Sequence, residues 1–138
     1  WIKALKWYEL AAAQGHAVSM FHIGGIYEEG GFGVFQDPNA SFDWLYKASE
    51  AGNSKAICAV GMCYYKGLGV NKDIEEARHW FKSSNDRGIL TGKFMLGFMR
   101  MRGEGGSKDL IGGMTMIKTA ASEGSKKVPQ LIWLLAIG

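Results

Sequence analysis

Cysteine, proline and long apolar runs are all scarce in this chain of 138 residues. Cys58 and Cys63 are its two cysteines, five apart in a segment that reads as one helix. They therefore make neither a secreted-type disulfide framework nor the paired C-x-x-C spacing of a zinc site. The longest nearly apolar stretch, Val128 to Gly138, is too short to cross a bilayer and follows two lysines, so direct membrane insertion is not expected. No charged-then-apolar leader opens the sequence either. The pattern described below is already under way at Trp1, and the chain is expected to be a piece of a longer protein, which leaves its compartment open. Charge of one sign is lacking too. Sixteen Lys and Arg stand against 13 Asp and Glu, for a net charge of +3. That balance permits an acidic partner and falls short of the basic stripe of a nucleic-acid binder.

What is present suits one folded domain. At 47% hydrophobic and 21% charged, the composition is not that of a disordered tail. A chain of this size buries about two-thirds of the surface its unfolded form exposes, so neither metal nor disulfide is needed to fold it. Twenty glycines against two prolines, and five tryptophans, are the oddities, and a repeat explains both.

Ala4-x-x-Trp7-Tyr8-x-x-Ala11-Ala12-x-x-Gly15 returns as Ser41-x-x-Trp44-Leu45-x-x-Ala48-Ser49-x-x-Gly52 and as Ala77-x-x-Trp80-Phe81-x-x-Ser84-Asn85-x-x-Gly88. A degraded fourth copy runs Gly113-x-x-Met116-Ile117-x-x-Ala120-Ala121-x-x-Gly124. The closing glycines step by 37, 36 and 36 residues, and Asp37, Asp73 and Asp109 each stand seven before the Trp or Met position. A second block alternates with the first: Ile23-Gly24-x-x-Tyr27, Val60-Gly61-x-x-Tyr64 and Leu96-Gly97-x-x-Arg100. Each is followed by a G-x-G turn, Gly31-Phe32-Gly33, Gly67-Leu68-Gly69 or Gly103-Glu104-Gly105. The extra residue of the first interval falls at Gly30, in a turn that tolerates insertion.

Both blocks read as helices with marked ends. The aspartates are N-caps, Pro38 takes a first helical position where its missing donor is harmless, and Asp73-x-x-Glu76 spells a capping box. Gly15, Gly52, Gly88 and Gly124 sit where a helix end turns left-handed. One helix type is expected over Lys3–Gln14, Pro38–Ala51, Ile74–Asp86 and Leu110–Glu123. The other is expected over Ala17–Glu29, Ser54–Lys66, Leu90–Arg102 and roughly Lys126–Ile137. Gly24, Gly61 and Gly97 fall inside helices, where glycine loses about 1 kcal/mol to alanine, so a close helix approach is expected there. In the first type the small, aromatic and second small residues recur at i, i+3 and i+7 on one face. Trp7, Trp44 and Trp80 are expected to fill the space between helices. No single hairpin covers its own apolar face; stacked neighbours do.

These residues resemble the Sel1-like repeat, a relative of the tetratricopeptide repeat. The match is strongest from Ala56 to Gly88, through Val60-Gly61, Tyr64, Gly67-Leu68-Gly69-Val70, Asp73, Ala77, Trp80-Phe81 and Gly88. The resemblance implies an all-α fold, a right-handed α-solenoid of antiparallel helix pairs. The phase is expected to be a half repeat at 1–15, repeats at 16–52, 53–88 and 89–124, and a half repeat at 125–138. Arg100, Gly106, Met116 and Trp133 depart from the pattern. The apolar Leu131-Ile132-Trp133-Leu134-Leu135 of the last half would be left partly bare, which raises self-association through that end.

Little else carries chemistry. His16, His22 and His79 accompany no Ser or Cys nucleophile at a recognisable motif, and His79 lies on a charged helix face. The run from Gly88 to Lys93 misses the phosphate-loop spacing by one, Phe94 replaces its Ser/Thr, and no strand precedes it. Asn39-Ala40-Ser41 fits a glycosylation acceptor by chance-level pattern alone. Cys58 and Cys63 read as small core or groove residues. No enzyme activity, cofactor or metal is expected.

Helical geometry does point to a surface. Opposite the core of the glycine-bearing helices, the second repeat presents Lys55, Cys58, Met62, Tyr65 and Lys66, and the third Thr91, Phe94, Phe98, Met101 and Arg102. A helix apolar on both sides is buried or waits for a partner. In tetratricopeptide relatives this helix lines the concave groove. The resemblance thus makes Lys55, Met62, Tyr65, Lys66, Phe94, Phe98, Met101 and Arg102 a candidate site for a protein or peptide segment, acidic or phosphorylated in character. Equally open is that Met62, Phe94 and Phe98 merely pack between repeats. The expected function is a non-catalytic scaffold or adaptor in a larger complex. The alternative is a regulatory or substrate-recruiting segment of an enzyme whose catalytic domain lies outside these residues. A helical-repeat RNA binder needs a basic stripe, which Glu28 and Glu29 interrupt.

Overall fold

A computed structural model describes residues 2–31 and 33–123. Seven helices occupy them: α1 (Ile2–Ala12), α2 (Ala17–Glu29), α3 (Pro38–Glu50), α4 (Ser54–Lys66), α5 (Ile74–Asp86), α6 (Leu90–Arg102) and α7 (Leu110–Ser122). The described residues contain no strand, only a single bridge between Gly31 and Val34 in the turn that carries the extra residue. Each helix packs against the next in chain order, so the architecture is an all-α solenoid of helical repeats. The expected last helix, Gly124 and Trp133 lie outside the described residues.

The helix ends follow from named hydrogen bonds. The Asp37, Asp73 and Asp109 carboxylates accept from the Ala40, Glu76 and Gly112 backbone N–H groups. The capping box expected at Asp73 is only half formed. Its own N–H, the donor that Glu76 would have satisfied, instead donates to Tyr64 O at 2.9 Å. Asp37 and Asp109 donate likewise to Tyr27 O and Arg100 O, so every cap is also tied to the helix before it. At the other end of α5, Gly88 turns at φ +79°. Ile89 N–H then reaches Ser84 O at 3.1 Å and Gly88 N–H reaches Asn85 O at 2.9 Å, closing the last orphan carbonyls.

Close approach explains the interior glycines. A Cβ on Gly61 would lie 2.9 Å from the Phe81 ring, and one on Gly97 would lie 2.8 Å from Gly113 O. Into the space beside Gly24 comes Ser41, whose hydroxyl donates to Gly24 O at 2.8 Å.

The tryptophans depart from expectation. Trp7 is 72% exposed, and Trp44 and Trp80 are only half-buried. The core position is the residue after each of the latter two, Leu45 and Phe81, the second wholly buried. At 100° per residue, i+3 and i+4 lie about 50° to either side of a stripe defined by i and i+7, so periodicity alone does not choose between them. The neighbouring helix decides: its glycine receives the i+4 side chain, Leu45 at Gly24 and Phe81 at Gly61. Trp80 instead fills the joint between repeats, edge-on to Tyr46 at 5.8 Å and stacked on Tyr64 at 6.5 Å. The core falls into two connected layers, one around Leu45, Val60 and Cys63 and one around Phe81, Phe94, Leu96 and Met99.

Candidate partner-binding face

The face opposite the core of α4 and α6 is built from six of the eight residues expected there in partly or fully exposed positions. Met62, Tyr65, Phe98 and Met101 are half-buried, and Lys66 and Arg102 are exposed at the helix C-termini. Lys55 is exposed as well but stands 11 residues before Lys66, about 16 Å along the axis at the 1.5 Å rise of a helix, so it marks the opposite rim. The matching positions of α3 and α5, including Asp43, Lys47, Glu50, Lys82 and Asp86, are charged and exposed.

Phe94 does not belong to this surface. It is wholly buried in the layer with Cys58, Phe81 and Met99. Its counterpart in the preceding repeat is the small Cys58, and both lie in the same buried layer. Phe94 acts instead as a foundation: Phe98 stacks on it with ring centroids 6.5 Å apart, and the Arg102 guanidinium lies 5.4 Å above Phe98. The aromatic floor is thereby anchored in the core below and roofed by a cation above.

A residue the sequence did not single out organises the edge. Glu104, in the turn after α6, accepts hydrogen bonds from the Tyr65 hydroxyl on both carboxylate oxygens, at 3.2 and 3.1 Å. It also pairs with Arg102 Nε at 3.7 Å. Arg78 of α5 holds the turn, donating to Glu104 O at 3.0 Å and to Ser107 O at 3.2 Å. Burial first, and the Glu104 charge second, push the Tyr65 phenol up from its ordinary value. The only sequence signal was the acidic residue inside an otherwise glycine-rich turn.

The remaining reactive groups do not converge. His16 Nδ1 lies 2.5 Å from Ser19 Oγ, a serine–histidine contact that H-x-x-S at a helix start makes locally, but Ser19 is buried and no carboxylate is bonded to the imidazole. His22 stacks on Tyr8 at 5.1 Å, and His79 is exposed. Cys58 and Cys63 are free, buried thiols, each pushed up to about 11, chiefly by burial. Among the described residues no group of His, Cys, Asp and Glu is placed to hold a metal ion, and no helix is long and apolar enough to cross a membrane.

Comparison with known proteins adds the context. The family model for the Sel1 repeat matches residues 2–16, 17–53, 54–89 and 92–125. The chain is 29% identical over 128 residues to chitin synthase regulator SKT5 of Saccharomyces cerevisiae, covering 90% of this chain and 18% of that protein. It is 33% identical over 70 residues to the ERAD-associated E3 ubiquitin-protein ligase component HRD3A of Arabidopsis thaliana, covering 50% of this chain and 10% of that one. Among solved structures, it resembles a protective antigen of uropathogenic Escherichia coli displaying an SLR fold. The TM-score is 0.81 at 29% identity, over 87% of this chain and 26% of that one. The chain thus spans less than a fifth of the length of either curated relative.

Proposed function

The chain belongs to the Sel1 repeat family, and from that premise we propose that it is a non-catalytic adaptor segment that holds a partner protein on the face of α4 and α6. The observation that carries this reading is the half-exposed set Met62, Tyr65, Phe98 and Met101 with Lys66 and Arg102 at its edge, of which Met62 and Tyr65 rest on the buried layer below and leave their other side open. Methionines and aromatics over a rigid base give an adaptable apolar contact, and the flanking cations select register. Similarity to a chitin synthase regulator and to a ligase component supports a place in a larger assembly that serves an enzyme.

Affinity capture with the protein that naturally contains these repeats tests the proposal. Met62→Ala/Phe98→Ala should lose a partner that the parent retains, with the melting transition of the parent largely kept. A charge-reversing pair, Lys66→Glu/Arg102→Glu, lies on the surface and tests the same edge should the apolar variant unfold. Equal recovery of every partner by the folded variants overturns the proposal.

A further inference from the structure

The identity of the occupant follows from the charge along one edge of the face, and it rests on the groove reading just given. Five residues after each interior helix glycine stand Glu29, Lys66 and Arg102, one near the C-terminus of each of α2, α4 and α6, with Glu28 beside the first. Acid therefore gives way to base from the first repeat to the next. Arg102 is answered by Glu104, whereas Glu28, Glu29 and Lys66 enter no ion pair among the described residues.

A cavity of about 390 Å³ opens at the acidic end, between the first two repeats. Glu28 and Glu29 line it together with Gln36, Pro38, Cys63 and Leu68. Gln36 is pinned, its Nε2 donating to Glu28 O at 2.8 Å. The Cys63 thiol is pushed up to about 11 chiefly by burial, with the Glu28 charge raising it and the Lys66 charge lowering it, so charges of both signs lie within reach of the cavity wall. Long cationic side chains lay an aliphatic stem on apolar surface and keep the charge at the rim. Pro38 and Leu68 offer that surface, and the two carboxylates offer the rim.

We infer that the segment held on this face is an extended peptide of mixed sign, with an arginine or lysine seated in the cavity beside Glu28 and Glu29 and an acidic side chain at Lys66. Cys63, in the cavity wall, stands about one turn before Lys66 on α4, so the basic and the acidic side chain fall within a few residues of each other on one extended segment. A wholly acidic segment, as the net charge alone suggests, would meet Glu28 and Glu29 with repulsion.

Selection of a displayed library of random peptides against the chain reads this preference directly, in parallel with Glu28→Lys/Glu29→Lys. The expected pool carries a basic residue with an acidic one a few positions away. A peptide from that pool should bind the charge-reversed protein about tenfold more weakly, with tighter binding restored when its basic residue is made acidic. A pool enriched in acidic and apolar residues only, or a basic residue indifferent to the reversal, overturns the inference while leaving the groove intact. No enrichment over an unrelated folded protein overturns both.

Discussion

The Tyr65 hydroxyl and the Glu104 carboxylate join across a repeat boundary, the phenol donating to Oε1 at 3.2 Å and to Oε2 at 3.1 Å. One group ends α4 and the other lies in the turn after α6, so the bond fixes the spacing of two helices that meet mainly through side chains. Tyr65→Phe keeps the ring against Phe81, at 6.4 Å, and removes only this link. Chemical denaturation should show a loss of about 1 kcal/mol, discounted because both groups are partly solvated. An unchanged midpoint would mean the contact contributes nothing.

Two glycines separate packing from propensity. Gly97→Ala forces a methyl against Gly113 O and should cost about 1–3 kcal/mol. Gly25, also helical, has no atom within 4 Å of such a methyl, so Gly25→Ala should stabilise by up to about 1 kcal/mol. Urea midpoints moving in the same direction would refute the close-approach explanation.

The same contrast applies to the aromatics. Phe81→Ala empties a wholly buried site and should cost about 3–5 kcal/mol, while Trp7→Ala, at 72% exposure, should stay within about 0.5 kcal/mol. Thermal melts of the two variants decide it, and a larger drop for Trp7→Ala would contradict the placement of the core.

Buried thiols make a pH prediction. Cys58 and Cys63 rise from 9.0 to about 11 on folding because burial penalises the thiolate. The folded state therefore holds these protons more tightly, a contribution complete below pH 9 and lost as pH climbs toward 11. A thiol-reactive dye at pH 8 should label neither cysteine until denaturant is added. Rapid labelling of the native chain would show a site more open than described.

Much of the fold was legible because the sequence marks its own punctuation. Ala17–Glu29, Ser54–Lys66, Ile74–Asp86 and Leu90–Arg102 form as expected, each bounded by a cap or a turn glycine. The first helix stops at Ala12 rather than Gln14, because the closing turn of His16 N–H on Ala11 O begins there. Which of Trp80 and Phe81 is buried was beyond periodicity, since both flank the stripe equally. Phe94 and Phe98 likewise share one face four residues apart. The first lies in the buried layer with Cys58 and Phe81 and the second is half-buried above it, a difference set by the neighbouring helices and not by spacing. Glu104 acts through a turn, where no periodic rule aims a side chain.

Amide hydrogen exchange on the repeats, free and with a captured partner, reaches the central claim most directly. Protection should appear in peptides covering Ser54–Lys66 and Leu90–Arg102 and spare the exposed faces of Pro38–Glu50 and Ile74–Asp86. Protection confined to the latter helices would place the partner on the opposite side and contradict the account.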